Sequence, residues 1–181
     1  LLHYMLELES RESPSLLNIQ AFANPFAYRL KVTRNHEQQT VVVDLVETFN
    51  YLIGLRVQTL SARQHLTAEF ARDEHNKLSV TRTRTCAPGE GWSFRQVEGQ
   101  TPQGQKALII WRTLSGDPEQ DNALLDYYFE RMAYSTRDRE FDVIYVNGDN
   151  NLENLRGDDE IWKVRLIEAD FHRLMFDVQD V

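Results

Sequence analysis

The residues Asn147-Gly148-Asp149-Asn150 are the first candidates for chemistry in this chain, because they follow a short apolar segment typical of a buried strand. Ligands of open α/β sheets usually bind at the carboxyl ends of parallel strands. On that interpretation the side chains of Asn147, Asp149 and Asn150 contact a ligand or a metal ion. The alternative is that Asn-Gly forms a tight turn and that Asp149 and Asn150 cap the next segment. The residue types favour the turn.

The acidic and histidine residues elsewhere match no established catalytic or metal-binding pattern. In "DDEIWK", Lys163 follows Glu160 by three residues instead of two, so a strand would place them on opposite faces and the Glu-x-Lys pattern of nucleases fails. Another group consists of His65, Asp73, Glu74 and His75. These four lie in or beside polar turns without metal-ligand spacing, which predicts surface residues. The sequence therefore assigns no catalytic residue and no metal ligand.

A third candidate is Asn24-Pro25-Phe26, which is one proline short of the Asn/Asp-Pro-Pro-Tyr/Phe tetrapeptide found in enzymes that methylate an exocyclic amine of DNA. In that tetrapeptide the Asn or Asp side chain and a neighbouring carbonyl accept hydrogen bonds from the amine, and the aromatic ring stacks on the flipped base. Here the second proline is missing and Ala27 leads directly into a predicted strand. A Phe-x-Gly-x-Gly turn for the methyl-donor cofactor is also missing. The stretch therefore predicts a turn.

A β-hairpin and a helix are predicted directly after this turn. Alternating apolar and polar residues over 27–34 and 39–43, separated by the polar stretch "RNHEQQ", are typical of paired strands. Asp44 is a suitable N-cap for the helix that follows, and Gly54 is suited to a left-handed stop. The predicted buried face of this helix consists of Leu45, Phe49, Leu52 and Ile53.

The rest of the chain predicts further strands and a βαβ unit. Four short strands cover 55–61, 66–72, 77–84 and 93–98. The run "KALIIWRTL" is continuously apolar, as in a strand buried on both faces. A helix capped by Asp117 and begun at Pro118 connects it to the apolar strand "FDVIYV", which is the spacing of two parallel strands with a helical crossover.

The two ends of the chain predict helices. "WKVRL" indicates a last strand and "IEADFHRLMF" a short helix, on which Glu168, Asp170 and His172 would splay apart. At the other end, one helical face consists of Leu2, Met5 and Leu6. The whole predicts one mixed α/β (α+β) domain over 1–181: a mixed sheet with an antiparallel portion, a βαβ unit and flanking helices.

Length and composition agree with a single globular domain. The chain has 181 residues, enough for one substantial core, and its apolar runs are too short to span a membrane. A single cysteine, Cys86, excludes an internal disulfide and predicts a cytoplasmic location. The first residues do not resemble a signal peptide, and the absence of an initiator Met suggests a fragment of a longer chain.

Charge is distributed unevenly. The net charge of −8 argues against a free-standing nucleic-acid-binding protein with a basic face. Residues 1–114 carry 13 Lys/Arg and 11 Asp/Glu, whereas residues 115–181 carry 7 and 17. Any phosphate contacts should therefore come from the first part, where Arg29 and Lys31 share one face of a predicted strand and Arg34 lies in the adjoining turn. The alternative is that these three cations form the solvated face of an antiparallel sheet.

Four blocks follow one another along the chain: "ESRESPSLLNIQAFANPFAYRLKV", "VDLVETFNYLIGLRV", "LIIWRTLSGDPEQDNALLDYYF" and "FDVIYVNGDNNLENL…WKVRLIEADFHRLMF". Together they resemble the C-terminal region of bacterial adenine-specific DNA methyltransferases related to the type III restriction-modification (Mod) subunits. The resemblance covers about residues 1–178, and the stretch 62–104 matches least.

The resemblance implies a role for the chain as an accessory domain. In that family the methyl-transfer loop and the S-adenosylmethionine site lie upstream of this region, so neither a catalytic nor a cofactor-binding residue is expected here. The parent enzyme would use S-adenosylmethionine, whereas this part would use no cofactor. The expected partners are the upstream methyltransferase domain and DNA. A further partner is either a restriction (helicase or nuclease) subunit or a second copy of the chain, and no contact with a membrane is expected. Two alternatives remain: a module that docks the partner subunit without touching DNA, and a small-ligand enzyme using the Asp149 loop.

Overall fold

The computed structural model of the chain describes residues 22–27, 29–137, 139–153 and 163–179, without the side chains at 30–32, 34 and 176–179. The predicted opening helix with Leu2, Met5 and Leu6 lies outside these residues, as does the stretch 154–160. The described elements are, in chain order, β1 (Arg29–Arg34), β2 (Glu37–Val42), α1 (Leu45–Leu52), β3 (Arg56–Leu60), β4 (Gln64–Arg72), β5 (Leu78–Thr85), β6 (Trp92–Gln100), β7 (Lys106–Arg112), α2 (Pro118–Arg131), β8 (Val143–Val146), β9 (Val164–Leu166) and α3 (Ile167–Gln179).

Strands β1 and β2 form the predicted hairpin, with a tighter turn than the sequence suggested. Their antiparallel register runs from Arg29 opposite Val42 to Arg34 opposite Glu37. Only Asn35 and His36 connect them, with φ angles of 50° and 66°. Two left-handed residues match the twist of a hairpin, and Asn and His are among the side chains that adopt this region most readily. The prediction that Arg34 lies in the turn was therefore wrong: it is the last residue of β1.

Helix α1 confirms the predicted capping. The Asp44 carboxylate accepts a hydrogen bond from the Glu47 backbone N–H at 3.2 Å, which satisfies one of the free donors of the first turn. Leu45 and Phe49 are completely buried. Gly54, with φ of 66°, follows the helix in the left-handed conformation that a side chain would disfavour. The helix is thus fixed at both ends by residues next to it in sequence.

Seven strands form one mixed, open sheet, which confirms the predicted α/β class. The order is β5-β4-β6-β7-β8-β9, and β3 pairs with β6 as well. The pairs among β3, β4, β5, β6 and β7 are antiparallel, whereas the pairs β7–β8 and β8–β9 are parallel. Helix α2 connects β7 to β8 and completes the βαβ unit. The hairpin of β1 and β2 is a separate two-stranded sheet.

Strand β7 is the centre of the core because both of its faces are covered. Ala107, Ile109 and Trp111 join the cluster that α1 and α3 contribute to. Leu108 and Ile110 join the cluster on the other face, to which α2 contributes. A strand buried on two sides needs apolar residues at successive positions, which explains the unbroken run in its sequence.

Candidate functional site

The first candidate site lies at the carboxyl ends of the parallel strands, and Arg112 occupies it. This last residue of β7 is 1 % exposed. Its guanidinium donates to the backbone carbonyls of Asn147 at 3.0 Å, Asp149 at 3.1 Å and Asp121 at 3.0 Å. Burial lowers the Arg112 pKa to about 10, against the opposing charges of Asp121 and Glu168. The side chain therefore remains a cation at neutral pH and fills the position where a ligand would dock.

Asn147 closes the same junction from β8. Its side chain is fully buried and accepts a hydrogen bond from the Arg112 backbone N–H at 2.9 Å. Its amide group donates to the carbonyls of Phe22 at 2.9 Å and Arg112 at 2.8 Å. All hydrogen-bonding groups of this side chain are therefore occupied within the protein. Asn147 ties β7 and β8 to the segment that precedes β1.

Two carboxylates, the buried Asp121 and the half-buried Glu168, complete this polar cluster, which we call the Arg112 cluster. Asp121 of α2 is 4 % exposed and accepts from the Trp92 indole N–H at 2.7 Å and from the Ser115 hydroxyl at 2.7 Å. Glu168 of α3 accepts from the Gly148 N–H through both oxygens, at 2.9 and 3.0 Å. Burial raises the Glu168 pKa to about 7, although the Gly148 bonds and Arg112 favour its charged form.

Most polar groups of the predicted ligand loop, Asn147 to Asn150, therefore bind other parts of the protein. Asn150 donates to the Gly148 carbonyl and accepts from the Leu152 N–H, as a capping residue does. Asp149 has an exposed side chain. Neither Asn147, Asp149 nor Asn150 lines either of the two cavities described in the chain. A ligand role stays a prediction for Asp149, whereas the side chain of Asn147 has no free group to offer.

Glu168, Asp170 and His172 splay apart, as predicted for a helix. Glu168 points to Gly148, while Asp170 accepts a hydrogen bond from the Tyr145 hydroxyl at 2.9 Å and pairs with Arg165 at 3.0 Å. Within the described residues, no group of three or more His, Cys, Asp or Glu side chains is placed to hold a metal ion. The carboxylates of Glu168 and Asp170 thus make contacts with different partners and do not converge on one point.

The predicted phosphate contacts lie on the separate hairpin. Arg29 is exposed at the start of β1. The side chains of Lys31 and Arg34 lie outside the part of the chain that the structure describes. In the register of β1, Arg29 and Lys31 are two positions apart, but Arg34 breaks that period-two series. Their role in phosphate binding stays a prediction.

A second candidate site is a cavity of about 540 Å³ beside the antiparallel half of the sheet. The segment 24–27 forms one wall and the turn 88–91 another, while the start of β6 and residues 113–115 form the floor. The Leu114 N–H donates to the Ala23 carbonyl at 2.8 Å, which holds the first wall against the end of β7. We call this space the Phe26 cavity. Its volume is in the range typical of small-molecule sites.

Asn24-Pro25-Phe26 forms the turn that the sequence predicted, and it lines this cavity. Residues Pro25–Ala27 make a single 3₁₀ turn, closed by a hydrogen bond from the Ala27 N–H to the Asn24 carbonyl at 3.3 Å. Asn24 is exposed. The Arg63 guanidinium lies over the Phe26 ring, 5.0 Å from its centre, and Arg63 forms no salt bridge among the described residues. The wall thus presents an aromatic ring, an amide and a guanidinium without a carboxylate partner in the part of the chain that the structure describes.

A histidine–serine pair lies in the floor of the Phe26 cavity. His65 Nδ1 and Ser93 Oγ are 2.7 Å apart. The Ser93 N–H donates to the Thr113 hydroxyl oxygen at 2.9 Å, and the Thr113 N–H donates to the Ser93 carbonyl at 3.0 Å. Ser93 is therefore held rigidly, while the other ring nitrogen of His65 has no partner among the described residues.

The opposite wall contains the Gly-x-Gly of the chain, at Gly89 and Gly91. A Cβ atom on Gly91 would lie 2.2 Å from the Leu66 carbonyl oxygen, so glycine here permits close packing against β4. Gly89 has φ of 86° and turns the chain. These glycines serve the wall itself. They differ in role from glycines that let a backbone approach a cofactor.

Comparisons with known proteins add no relative. No protein-family model, curated protein or solved structure matches this chain. Among the described residues, no helix has the length and apolar character needed to cross a membrane.

Proposed function

We propose that this chain is an accessory C-terminal domain of a cytoplasmic adenine-specific DNA methyltransferase of a restriction-modification system, without a methyl-transfer site of its own. The resemblance of the four blocks motivates the proposal, and their place in the fold supports it. The second to fourth blocks supply α1, β7 with α2, and β8, β9 with α3, which together form the central core. The stretch 62–104, which resembles the family least, supplies β5 and β4 at the antiparallel end of the sheet, and also β6, which pairs with β7 inside it. Relatives that share a fold are expected to retain its core and to vary at its edge, which on this proposal applies to β4 and β5.

The site geometry supports an accessory role over a catalytic one. The turn at Pro25–Ala27 contains one proline, Gly91 packs against β4, and the carboxyl ends of the parallel strands are filled by the Arg112 cluster. Methyl transfer and S-adenosylmethionine binding therefore belong to the upstream domain on this proposal. The coding sequence upstream should contain a Pro-Pro-Tyr type tetrapeptide and a glycine-rich cofactor turn. If both are absent, the proposal that this chain belongs to a DNA methyltransferase is wrong.

DNA contact by this domain is tested through the cations of the hairpin. Arg29, Lys31 and Arg34 are replaced singly by Gln in the parent enzyme, and DNA affinity is measured across a salt series. Each lost phosphate contact should lower the slope of log affinity against log salt by about 0.9 for duplex DNA. Arg82→Gln, on the exposed surface of β5, is the matched control. Unchanged slopes in all three variants would exclude phosphate binding by the hairpin.

The second candidate function, docking of a helicase or nuclease subunit, is favoured by one surface. Among the described strands, β3 pairs only with β6, and its Val57 and Leu60 side chains are 43 % and 49 % exposed. Tyr51, at the end of α1, is 71 % exposed. Edge strands with apolar side chains offer both backbone groups and apolar area to a partner. Leu60→Lys should weaken assembly of the parent with its restriction subunit, while leaving the salt dependence of DNA binding unchanged.

A further inference from the structure

We infer that the Phe26 cavity binds a nucleotide unit, with its phosphate at Arg63 and His65 and its base against Phe26. The nucleotide is either free or an unpaired residue of a nucleic acid strand, because both present the same base and phosphate. This binding goes beyond the accessory role proposed above and does not depend on the hairpin cations.

The size and location of the cavity fit such a ligand. Its volume of about 540 Å³ is within the range of sites for compact organic molecules. It borders the Arg112 cluster, since Trp92 and Ser115 line the cavity and donate to Asp121, but Arg112 and Asn147 themselves do not line it. The cavity is also built from four separate segments that β6 and β7 hold in place. A ligand would therefore meet a surface that is already formed.

The charge of the lining favours an anionic group. Arg63 has an exposed guanidinium without a salt-bridge partner among the described residues, and the second nitrogen of His65 is also without a partner there. Among the described residues, Glu90 is the one carboxylate in the lining. Guanidinium groups bind phosphate through paired N–H donors and stack on planar rings. A phosphate at Arg63 and His65 would receive charge-assisted hydrogen bonds.

The apolar and amide groups favour a base next to that phosphate. The Arg63 guanidinium lies over the Phe26 ring, 5.0 Å from its centre, and a base can stack on such a guanidinium–aromatic pair. Asn24 carries both a donor and an acceptor for the edge of a base. Phe26 also packs against the core, but a simple inorganic anion would use Arg63 and make no contact with the ring of Phe26 or the amide of Asn24. The lining therefore fits a planar heterocycle joined to a phosphate better than it fits either part alone.

Calorimetric titration of the 181-residue chain tests this inference with four probes: a deoxynucleoside monophosphate, the same nucleoside without phosphate, inorganic phosphate, and a short oligonucleotide offered single-stranded or as a duplex. We expect one-to-one binding of the monophosphate and much weaker binding of the nucleoside and of phosphate. Preference for the single strand over the duplex would identify an unpaired residue as the source. Binding of the monophosphate without the strand would identify a free nucleotide.

Arg63→Gln should weaken monophosphate binding by about 10-fold or more, since a hydrogen bond to a charged group is lost. Its side chain is exposed, so the fold should persist, and Arg82→Gln should bind as the original chain does. Phe26→Leu should reduce the preference for the monophosphate over phosphate. Absence of binding at millimolar concentration, equal binding of phosphate, or an unaffected Arg63→Gln variant would each overturn the inference. The salt series on the parent enzyme is a separate measurement, so either result can fail without the other.

Discussion

The Arg112 cluster lies where the parallel strands β7 and β8 end, whereas the Phe26 cavity lies beside the antiparallel pair β6 and β7. The two sites differ in how completely their polar groups are paired. Arg112 donates to three loop and helix carbonyls within 3.1 Å, and Asn147 has no unused group. In the Phe26 cavity, Arg63 has no salt bridge among the described residues. Buried polar groups must be paired to be tolerated, whereas exposed ones can be left for solvent or a ligand.

The comparison shows why the usual position of a ligand in an open α/β sheet is unsuited to one here. The carboxyl ends of the parallel strands β7 and β8 lie side by side, and Arg112 at the end of β7 donates to the carbonyls of the loop 147–149 that follows β8. The guanidinium supplies the donors that those carbonyls would otherwise have to find in a ligand or in water. The Phe26 cavity lies at the same end of β7, next to residues 113–115, but on the side of β6, where the polar groups of Arg63 and His65 are less completely paired among the described residues.

The largest expected effect is the loss of stability on replacing Arg112 by Met. The variant keeps an unbranched side chain but removes the donor to the carbonyls of Asn147 and Asp121, which are buried residues, and of Asp149. The free energy of unfolding should fall by about 3–5 kcal/mol in urea denaturation, as when one partner of a buried charged network is removed. Arg82→Met, on the exposed face of β5, should change it by about 0.5 kcal/mol or less. Equal effects of the two substitutions would refute the structural role of the cluster.

Replacing Glu168 by Gln should change how stability depends on pH. Its pKa is raised from 4.5 to about 7 in the folded protein, so the folded state holds a proton that the unfolded state releases. The contribution of Glu168 to stability should therefore be fully present below pH 4.5, decrease as the pH rises to about 7, and be lost above that value. The total decrease from this one group is about 3 kcal/mol. The Gln variant should lack this component because its side chain does not titrate. Its side-chain oxygen can still accept the hydrogen bond from Gly148.

The difference between the two pH profiles is the quantity to measure, because Asp126 also has a raised pKa, mainly from burial, and contributes in the same direction. Urea denaturation at a series of pH values gives both profiles. Glu69→Gln, an exposed residue of β4, is the matched control and should follow the original chain. If Glu168→Gln follows the original profile too, the carboxyl group is ionised in the folded protein and the Arg112 cluster is a fully charged network.

Sequence patterns predicted the elements well because the determinants of each are local. The caps at Asp44 and Asp117 lie next to the helices they begin, and the apolar run of β7 reflects two covered faces. The hairpin turn was predicted too long because the left-handed backbone of Asn35 and His36 leaves only a weak signal in the residue types. These errors shift a boundary by a few residues and leave the fold unchanged.

The two sites were harder to predict because their residues come from distant parts of the chain. Arg112 is the one charged residue within the run "ALIIWR", which is a signal for a buried cation, but its partners 9 and 35–37 positions away cannot be seen in the sequence. The Phe26 cavity joins segments near residues 25, 64, 90 and 114. Residue types identified Asn24-Pro25-Phe26 as a turn, and only the tertiary structure places that turn beside Arg63.

The smallest expected effect on stability is that of Ser93→Ala, which removes one hydrogen bond at the floor of the cavity. The cost should be about 0.5–1.5 kcal/mol, well below that of Arg112→Met, because water in the cavity can replace the hydroxyl as a partner of His65. Ser79→Ala is the matched control, since this exposed serine of β5 has only a long contact of 3.5 Å from its hydroxyl to the Ala71 carbonyl. If the free energy of unfolding fell as much as in Arg112→Met, the hydrogen bonds of the cavity floor would be as important for stability as those of the Arg112 cluster.

The same pair also determines what the cavity offers to a ligand. If the Ser93 hydroxyl donates to Nδ1, the proton of the neutral His65 ring lies on Nε2, which then serves as a donor to a phosphate; the opposite tautomer would present an acceptor and repel it. We expect the Nε2–H tautomer, and nitrogen-detected NMR of His65 distinguishes the two. Ser93→Ala removes the donor that fixes this tautomer, so a mixture should appear. A single Nδ1–H tautomer in the original chain would contradict phosphate binding at His65, and it would leave Arg63 as the one anion-binding group of the cavity among the described residues.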